Sequence, residues 1–308
     1  MDLKLIHPEL RKAYRMVPGI PFHNKLFVKM INSLFKLWRA PDVMGGIRIE
    51  DHACGHRFVR VYMPPACNGA GMLWIHGGGL ITGRPALYDE LCSRYARDLN
   101  IVVVSVSYRL ADKHPYPAAI DDCYNAWQWL QQNAEGLGVD PERIAISGQS
   151  AGGGLAASLV QRVVDSGGIQ PAAQLLFCPM LDDRTAARKE LDSVNHKMWN
   201  NRSNRAGWSA YLGQPVGSAE VPKYSVPARR ENLMGLPPSW IGVGDVDLFF
   251  EEDKRYFERL VECGVESEFH VAPMAPHAFE LLVAGATITR ELFQSNYNFL
   301  RNTLGLDQ

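Results

Sequence analysis

The chain has 308 residues, of which 46% are hydrophobic, and this is enough to bury the core of one large domain. Its 32 lysines and arginines nearly balance its 33 aspartates and glutamates. This balance gives no electrostatic reason to expect nucleic acid or an anionic membrane as a partner, so a small, neutral molecule is the simpler expectation.

The six cysteines are scattered without the spacing of a metal site or a disulfide framework. They are Cys54, Cys67, Cys92, Cys123, Cys178 and Cys263. Their distribution predicts reduced thiols and a cytoplasmic location. The first residues mix charges of both signs and lack the apolar stretch of a signal peptide. No segment approaches the roughly 18 uninterrupted apolar residues that a membrane helix needs.

Short β-branched runs alternate with longer amphipathic patterns along most of the chain. Strands are predicted at 46–50, 57–63, 72–76, 101–106, 143–147, 174–178, 239–244 and 267–271. Helices are predicted at 86–99, 117–134, 150–166, 251–263 and 287–303. This alternation predicts a three-layer α/β fold, with helices on both faces of a mostly parallel, eight-stranded sheet.

Two segments fall outside this alternation. Near the N-terminus, apolar residues recur at the spacing of one helical face, namely Leu26, Phe27, Met30, Ile31, Leu34, Phe35 and Trp38. The second segment follows a predicted strand and is rich in Asn, Arg and Trp. We expect residues 1–45 and 182–226 to form a helical cap over an α/β domain built from 46–181 and 227–308. The alternative is that the helices of each segment simply pack on the sheet.

The motif GQSAG at 148–152 lies between a predicted strand and a predicted helix. A sharp turn at this point would force Ser150 into a strained conformation, and Gly148 and Gly152 would leave the chain room to bend. The serine hydroxyl would then project from the sheet edge. This context is typical of a nucleophile elbow, with Gln149 before the serine. Taken alone, the motif could also be a glycine-rich turn without chemistry.

A second glycine motif, HGGG at 76–79, follows another predicted strand and begins with His76. Acyl transfer passes through a tetrahedral oxyanion, and each backbone N–H group aimed at that oxygen contributes about 2.7 to 4 kcal/mol. We predict an oxyanion hole in which Gly78, Gly79 and Ala151 donate and Gly77 shapes the turn. A phosphate-binding loop does not fit, because no helix-opening GK[ST] sequence follows.

A serine nucleophile needs a base and an orienting acid, in the chain order Ser, Asp or Glu, His. His277 is the one histidine beyond the last predicted strand, in a loop before the final helix. For the acid, the loop after the strand at 239–244 offers Asp245 and Asp247. We predict Asp247, because it lies closer to the start of the next helix, where capping would also hold it.

With these motifs in place, the chain resembles the hormone-sensitive-lipase-like esterases, a bacterial branch of the α/β-hydrolase fold. Besides HGGG and GQSAG, four segments are similar to that family's pattern, at 108–123, 139–148, 226–248 and 276–279. The resemblance supports His277 as base, and Asp247 as acid with Tyr256 nine positions later. Two departures from the family pattern stand out. Gln149 replaces an acidic residue, and Asp112–Lys113 replaces Pro-Glu.

The resemblance implies a serine carboxylesterase that acts through an acyl-enzyme, without a cofactor, on a small-molecule ester. It also implies that the two cap segments shape the acyl pocket. Their bulky side chains predict a preference for short acyl chains, the candidates being Phe35, Trp38, Trp199 and Trp208. We expect neither nucleic acid nor a membrane as a partner, and a homodimer stays open.

Three alternatives remain at this point. An amidase, lactonase or formamidase would use the same triad and oxyanion hole. A binding protein that has lost catalysis is another reading, although all three members of the triad are present. A metal site at His52, Cys54 and His56 is the third, but Gly55 predicts a hairpin turn that would splay these side chains. We therefore expect no metal.

Overall fold

The computed structural model describes residues 1–17, 20–37 and 45–306. Within these ranges the strands are β1 (Arg48–Cys54), β2 (Arg57–Met63), β3 (Gly71–Ile75), β4 (Val102–Val106), β5 (Ile144–Gln149), β6 (Ala173–Phe177), β7 (Ser239–Gly244) and β8 (Ser267–Ala272). They form one eight-stranded sheet in the order β1-β2-β4-β3-β5-β6-β7-β8. The β1–β2 and β2–β4 pairs are antiparallel and the other pairs are parallel, which confirms the predicted sheet.

Helices cover both faces of this sheet. They are α1 (Arg11–Met16), α2 (Lys25–Leu37), α3 (Asp89–Leu99), α4 (Ala118–Asn133), α5 (Ala151–Ser166), α6 (Asp183–Ala187), α7 (Asn201–Leu212), α8 (Phe250–Glu262), α9 (Phe279–Leu282) and α10 (Thr287–Leu304). Short 3₁₀ turns occupy Leu3–Leu5, Pro8–Leu10, Pro85–Tyr88, Glu135–Leu137, Lys189–Ser193 and Pro227–Arg229. In the described part of the chain, none of the helices has the length and apolar character needed to cross a bilayer.

The alternation of side chains along each strand divides the interior into two cores. On β3, Leu73 and Ile75 face a core covered by α4, α5 and α8, whereas Met72 and Trp74 face a core covered by α3 and α10. Every residue of β3 is buried, because helices cover both faces of the sheet. The continuous apolar runs that predicted the central strands follow from this double burial.

Two predicted boundaries differ from the structure for local reasons. The first strand was predicted at 46–50, but β1 extends to Cys54, because it pairs with β2 along its whole length before Gly55 makes the turn with φ 54°. The helix predicted at 86–99 begins as the 3₁₀ turn Pro85–Tyr88 and becomes α-helical only at Asp89. Proline suits the first turn of a helix, since it has no N–H group to leave unpaired there.

The first predicted cap segment reaches both cores, and the second shares one of them. Tyr14 of α1 is fully buried in the core that contains α10, whereas Val28 of α2 lies in the opposite core. Trp199 and Trp208, from the second segment, also belong to the core that contains Val28. The second segment contains α6 and α7. Trp38, one of the residues predicted to lie on the cap helix, is outside the described residues.

Candidate active site

The turn between β5 and α5 holds Ser150 in a conformation that is rare for a residue with a side chain, with φ 56° and ψ −121°. The two neighbouring glycines leave no room for a Cβ atom. At Gly148 it would lie 2.3 Å from the carbonyl oxygen of Gly152, and at Gly152 it would lie 2.1 Å from the carbonyl oxygen of Ile75. The strained turn predicted from GQSAG is therefore present, and close backbone packing explains its glycines.

The structure brings together the three side chains predicted as a triad. The Nε2 atom of His277 lies 2.9 Å from the Oγ atom of Ser150, and its Nδ1 atom lies 2.7 Å from Oδ2 of Asp247. All three residues are buried, with at most 6% of their surface exposed. This pattern assigns the proton to Nδ1, so that Nε2 accepts from the serine hydroxyl.

The loop after β7 explains why Asp247, and not Asp245, reaches the histidine. Oδ1 of Asp247 accepts a hydrogen bond of 3.0 Å from the amide of Phe249, which leaves Oδ2 for His277. Asp245 is exposed, and its Oδ1 accepts instead from the amide of Met274 at 2.6 Å. Backbone amides thus hold both carboxylates in place, and only that of Asp247 points at the imidazole.

The backbone that carries His277 is anchored by a residue that sequence reasoning missed. The hydroxyl of Tyr14 donates to the carbonyl oxygen of His277 at 2.7 Å. The ring of Phe249 meets the imidazole edge-on, with ring centroids 5.2 Å apart. No local pattern links Tyr14 to a loop more than 260 residues away. This contact ties the N-terminal segment to the site.

Two opposing effects determine the pKa of His277. Burial disfavours the charged imidazolium and lowers the pKa, but the carboxylate of Asp247 outweighs this through its charge and its hydrogen bond. The charge of Glu280 acts in the same direction as that of Asp247. The net result is a pKa raised above the ordinary value of 6.5, which suits a residue that must take up a proton during the reaction.

The glycine loop after β3 presents two backbone amides beside Ser150. Gly78 has φ 122° and Gly79 has φ 60°, conformations that favour glycine. A Cβ atom at Gly78 would lie 2.1 Å from the carbonyl oxygen of Thr82. Within the described residues, the amides of Gly78, Gly79 and Ala151 donate to no protein acceptor. These three N–H groups are those predicted to bind an oxyanion.

Gly77 was grouped with the oxyanion hole, but the structure gives its amide a different partner. The N–H group of Gly77 donates to the hydroxyl of Tyr88 at 3.0 Å, so it is not free to bind a substrate oxygen. A Cβ atom at Gly77 would lie 2.3 Å from Oε1 of Gln149. Gly77 therefore shapes the loop and brings it close to β5, which is the part expected of it, and the predicted donors are the other three residues, Gly78, Gly79 and Ala151.

His76 holds the start of the same loop and does not reach the triad. Its Nδ1 atom lies 2.8 Å from the carbonyl oxygen of Gly77, and its ring stacks on Tyr108 with centroids 4.2 Å apart. Burial lowers the pKa of His76 to about 4, which keeps the ring neutral around pH 7. A neutral ring with a proton on Nδ1 can donate to that carbonyl and fix the loop.

A cavity of about 230 Å³ opens beside Ser150. Its apolar lining comes largely from the two predicted cap segments and from the loops around the site, namely Phe22, Phe35, Leu87, Met198, Trp199 and Leu281. Phe35 and Trp199 were expected there from the sequence. Trp208 was expected as well, but it is buried next to Tyr211, with ring centroids 6.1 Å apart, and does not line the cavity.

Gln149, the departure from the family pattern at the elbow, lies inside a buried hydrogen-bond chain. Its Oε1 atom accepts from the hydroxyl of Tyr88 at 2.8 Å, and its Nε2 atom donates to Oε1 of Glu280 at 3.2 Å. Sequence reasoning missed both partners. The signal for Glu280 was a carboxylate three residues after His277 in an otherwise apolar stretch, whereas nothing in the sequence marked Tyr88.

The alternative metal site does not assemble. Nε2 of His52 lies 3.4 Å from a carboxylate oxygen of Glu50, and its ring contacts Trp129 with centroids 5.4 Å apart. In residues 1–17, 20–37 and 45–306, the one cluster of potential metal ligands within 4.8 Å of one another is Cys178, Asp247 and His277. That cluster shares two members with the predicted triad and does not include His52, Cys54 or His56.

Comparison with known proteins places the chain in a family. Residues 72–281 match the protein family described as the alpha/beta hydrolase fold. The chain belongs to this family. Esterase LipI of Mycobacterium tuberculosis is 34% identical over 233 residues, which cover 74% of this chain and 72% of that protein. Carboxylesterase NlhH of the same species is 33% identical over 258 residues, 80% of each chain.

A solved structure extends the similarity to nearly the whole chain. The structure described as a bacterial heroin esterase superposes with a TM-score of 0.90 at 31% sequence identity, and the match covers 98% of this chain and 99% of that one. The predicted fold and the predicted resemblance to esterases of this fold are therefore confirmed. The similarity extends beyond the family match, to the N-terminal residues and the C-terminal helix.

Proposed function

We propose that this member of the α/β-hydrolase family is a serine carboxylesterase that hydrolyses small carboxylic esters through an acyl-enzyme. The observation that carries the proposal is the hydrogen-bonded series Ser150, His277 and Asp247, with contacts of 2.9 and 2.7 Å, beside three unpaired amides in the described structure. Relatives of this chain that are named esterases and carboxylesterases support it. The chemistry requires no cofactor.

The first half of the reaction transfers the acyl group to the enzyme. His277 Nε2 takes the proton of Ser150 as Oγ attacks the ester carbonyl carbon, and the carbonyl oxygen becomes an anion. The amides of Gly78, Gly79 and Ala151 bind that oxygen. The carbon–oxygen bond to the alcohol then breaks, and the imidazolium gives its proton to the leaving alkoxide.

The second half releases the acid. Water enters the place left by the alcohol, His277 removes one of its protons, and the hydroxide formed attacks the acyl carbon. The second oxyanion uses the same amides, and its collapse returns the proton to Ser150. Throughout, the carboxylate of Asp247 keeps the Nδ1 proton in place and stabilises the imidazolium. The raised pKa of His277 fits this role.

The size of the cavity supports a preference for short acyl chains. About 230 Å³, bounded by the rings of Phe22, Phe35 and Trp199, accommodates a small ester more readily than a long alkyl chain. The ring of Trp199 also packs against Phe22, with centroids 5.3 Å apart, so the two predicted cap segments meet at the wall of the cavity. Residues 1–45 and 182–226 are accordingly proposed as the cap that sets this limit.

The decisive experiment removes the nucleophile. Ser150→Ala should lower kcat for p-nitrophenyl acetate by about 10⁴-fold or more, because no other group can form the acyl-enzyme. Ser158→Ala is the matched control, since Ser158 is a buried serine of the same helix. Wild type should also gain one phosphonyl group from a fluorophosphonate, and the Ser150 variant should not. Equal turnover of all three proteins would contradict the proposal.

The predicted amidase, lactonase and formamidase activities would use the same groups. A panel of matched ester, anilide, lactone and formamide substrates separates them, and we expect the ester to give the highest kcat/KM. A non-catalytic binding protein would leave every substrate of the panel intact. Ester turnover below that of the anilide would replace the esterase proposal with an amidase.

The cytoplasmic location and the homodimer also belong to the proposal. All six cysteines are free thiols, three of them buried, which is the state expected in a reducing compartment. Fractionation of the native cells would test the location, and sedimentation at micromolar concentration would test the homodimer. A small-molecule ester is the partner that the geometry of the cavity supports.

A further inference from the structure

A buried hydrogen-bond chain connects the glycine loop to the short helix after His277. The amide of Gly77 donates to the Tyr88 hydroxyl at 3.0 Å, and that hydroxyl donates to Oε1 of Gln149 at 2.8 Å. Nε2 of Gln149 then donates to Oε1 of Glu280 at 3.2 Å. Tyr88, Gln149 and Glu280 are each at most 6% exposed. The chain runs beside the triad without including any of its members.

Glu280, the acceptor at the end of this chain, determines which group donates and which accepts at Gln149 and Tyr88. A tyrosine hydroxyl has one proton, so Tyr88 can accept from Gly77 and still donate only if Gln149 presents its carbonyl oxygen. Gln149 presents that oxygen only when its NH₂ group faces the other way. An ionised carboxylate at Glu280 accepts from the NH₂ group and cannot pair with the oxygen, so it fixes the amide in this orientation.

We propose that Glu280 is a positioning residue for ester hydrolysis, which sets the direction of the Gly77–Tyr88–Gln149 chain and thereby holds the oxyanion loop in place. This inference rests on the proposed esterase function and deepens it. Glu280 acts through Gln149 and Tyr88 and does not touch the reacting atoms. The same loop carries Gly78 and Gly79, so a shift of Gly77 displaces the amides that bind the oxyanion.

A protonated Glu280 would allow the opposite arrangement. Its hydroxyl could donate to Oε1 of a flipped Gln149, and the NH₂ group would then face Tyr88. Tyr88 would receive two donors, Gln149 and Gly77, and its own proton would lose its acceptor. A buried donor without a partner is unfavourable, so the chain and the loop would rearrange.

The surroundings of Glu280 shift its pKa toward neutral pH. The charges of His277 and Asp247 and the hydrogen bond from Gln149 act on Glu280. The charge of Glu280 in turn raises the pKa of the other titratable groups that face it, which are Tyr14, Tyr88, Tyr95 and Cys178. Burial is the largest effect and raises the pKa of Glu280 to about 7. A protonated His277 works against this shift, and the ionised Glu280 in turn raises the pKa of His277.

Two consequences for activity follow as pH rises through neutrality. Ionisation of Glu280 completes the chain, and deprotonation of His277 supplies the base. Both steps favour hydrolysis, so just below the two pKa values the acid limb of the profile of log kcat/KM against pH should be steeper than the slope of one that His277 alone would give. Glu280→Gln removes one of the two groups that titrate on this limb and leaves His277. The slope of that variant should fall to one, and its midpoint should move to lower pH.

Exchanging the side chains of Gln149 and Glu280 tests whether Glu280 acts through the hydrogen-bond chain. If Glu280 had only a structural role, the exchange would not restore activity. Glu280→Gln alone should lower kcat by about tenfold, the size of one misaligned hydrogen bond, with KM within twofold. Gln149→Glu alone places two carboxylates together and should be at least as damaging. The double variant restores one acid and one amide, with the acid now accepting from Tyr88. It should recover most of the lost kcat.

Tyr88→Phe and an independent check on the nucleophile complete the experiment. Tyr88→Phe interrupts the chain but keeps the charge of Glu280, so it should lower kcat about as much as Glu280→Gln and also reduce the slope to one, but without moving the midpoint to lower pH. Labelling by a fluorophosphonate reports separately that Ser150 is competent. The inference is overturned if Glu280→Gln keeps the wild-type slope and kcat, or if the double variant is no better than the product of the single effects. A wild type that fails to label would instead overturn the proposed function.

Discussion

The indole of Trp199 packs directly on the backbone of Gly79. A Cβ atom added to Gly79 would lie 1.9 Å from the ring, and one added to Gly207 of α7 would lie 2.5 Å from the carbonyl oxygen of Gly79. The second predicted cap segment and the loop that presents the oxyanion amides are therefore in contact. Substitutions on either side of this contact should separate effects on substrate size from effects on catalysis.

Trp199→Ala should enlarge the acyl pocket. The indole bounds the cavity beside Ser150, so its removal opens space for longer chains, and we expect the ratio of kcat/KM for octanoate over acetate to rise by about tenfold. A series of p-nitrophenyl esters measures this ratio. Trp208→Phe is the control, because Trp208 does not line the cavity. An unchanged ratio in Trp199→Ala would show that another part of the cap limits chain length.

Gly79→Ala should impair the oxyanion hole. The new methyl group meets the ring of Trp199, and the φ of 60° is strained for alanine, so the loop must shift. We expect kcat to fall by about 10²-fold with little change in KM, as for the loss of one oxyanion donor. Gly168→Ala is a matched control with φ 83° and open space around it. A similar loss of kcat in both variants would count against the assignment.

Tyr14→Phe should loosen the loop that carries His277. The variant loses a buried hydrogen bond of 2.7 Å to the histidine carbonyl, and we expect the free energy of unfolding to fall by about 1 kcal/mol. Urea unfolding measures this change, and kcat should fall in parallel. Tyr297→Phe serves as the comparison, since its hydroxyl makes only a longer contact of 3.4 Å with Asp98. Full activity and stability in Tyr14→Phe would show that the loop needs no such anchor.

The His277–Asp247 pair should make stability depend on pH in a defined direction. Because the pKa of His277 is raised in the folded state, its protonated form stabilises the fold below the ordinary value of 6.5. This contribution disappears as pH rises through the raised pKa.

Asp247→Asn should therefore cost more free energy of unfolding at pH 5.5 than at pH 8.5, and urea titrations at the two pH values measure the difference. Its kcat should also fall by about 10⁴-fold, because the asparagine no longer selects the correct tautomer. Asp245→Asn is the control, since an amide oxygen can still accept from Met274. A cost for Asp247→Asn that is independent of pH would argue that His277 does not titrate in the folded protein.

Several features of this protein could be predicted from residues close together in the chain. The alternation of apolar residues predicts the strands and the helices that cover them, because side-chain periodicity determines which face is buried. GQSAG predicts the bend at Ser150, and chain order predicts His277. The choice of Asp247 over Asp245 rests on its position at the start of α8. Apart from the chain order, the cause in each case lies within a few residues of the feature.

The tertiary structure alone decides which distant groups meet. Tyr88 accepts from the amide of Gly77, a contact that no sequence pattern indicated, and Tyr14 reaches the backbone of His277 from the other end of the chain. Glu280 becomes the partner of Gln149 although 131 residues separate them. Local patterns record burial and backbone conformation, whereas a hydrogen bond depends on the approach of two segments within about 3 Å. That approach is fixed by the packing of the whole fold, and no short stretch of sequence contains it.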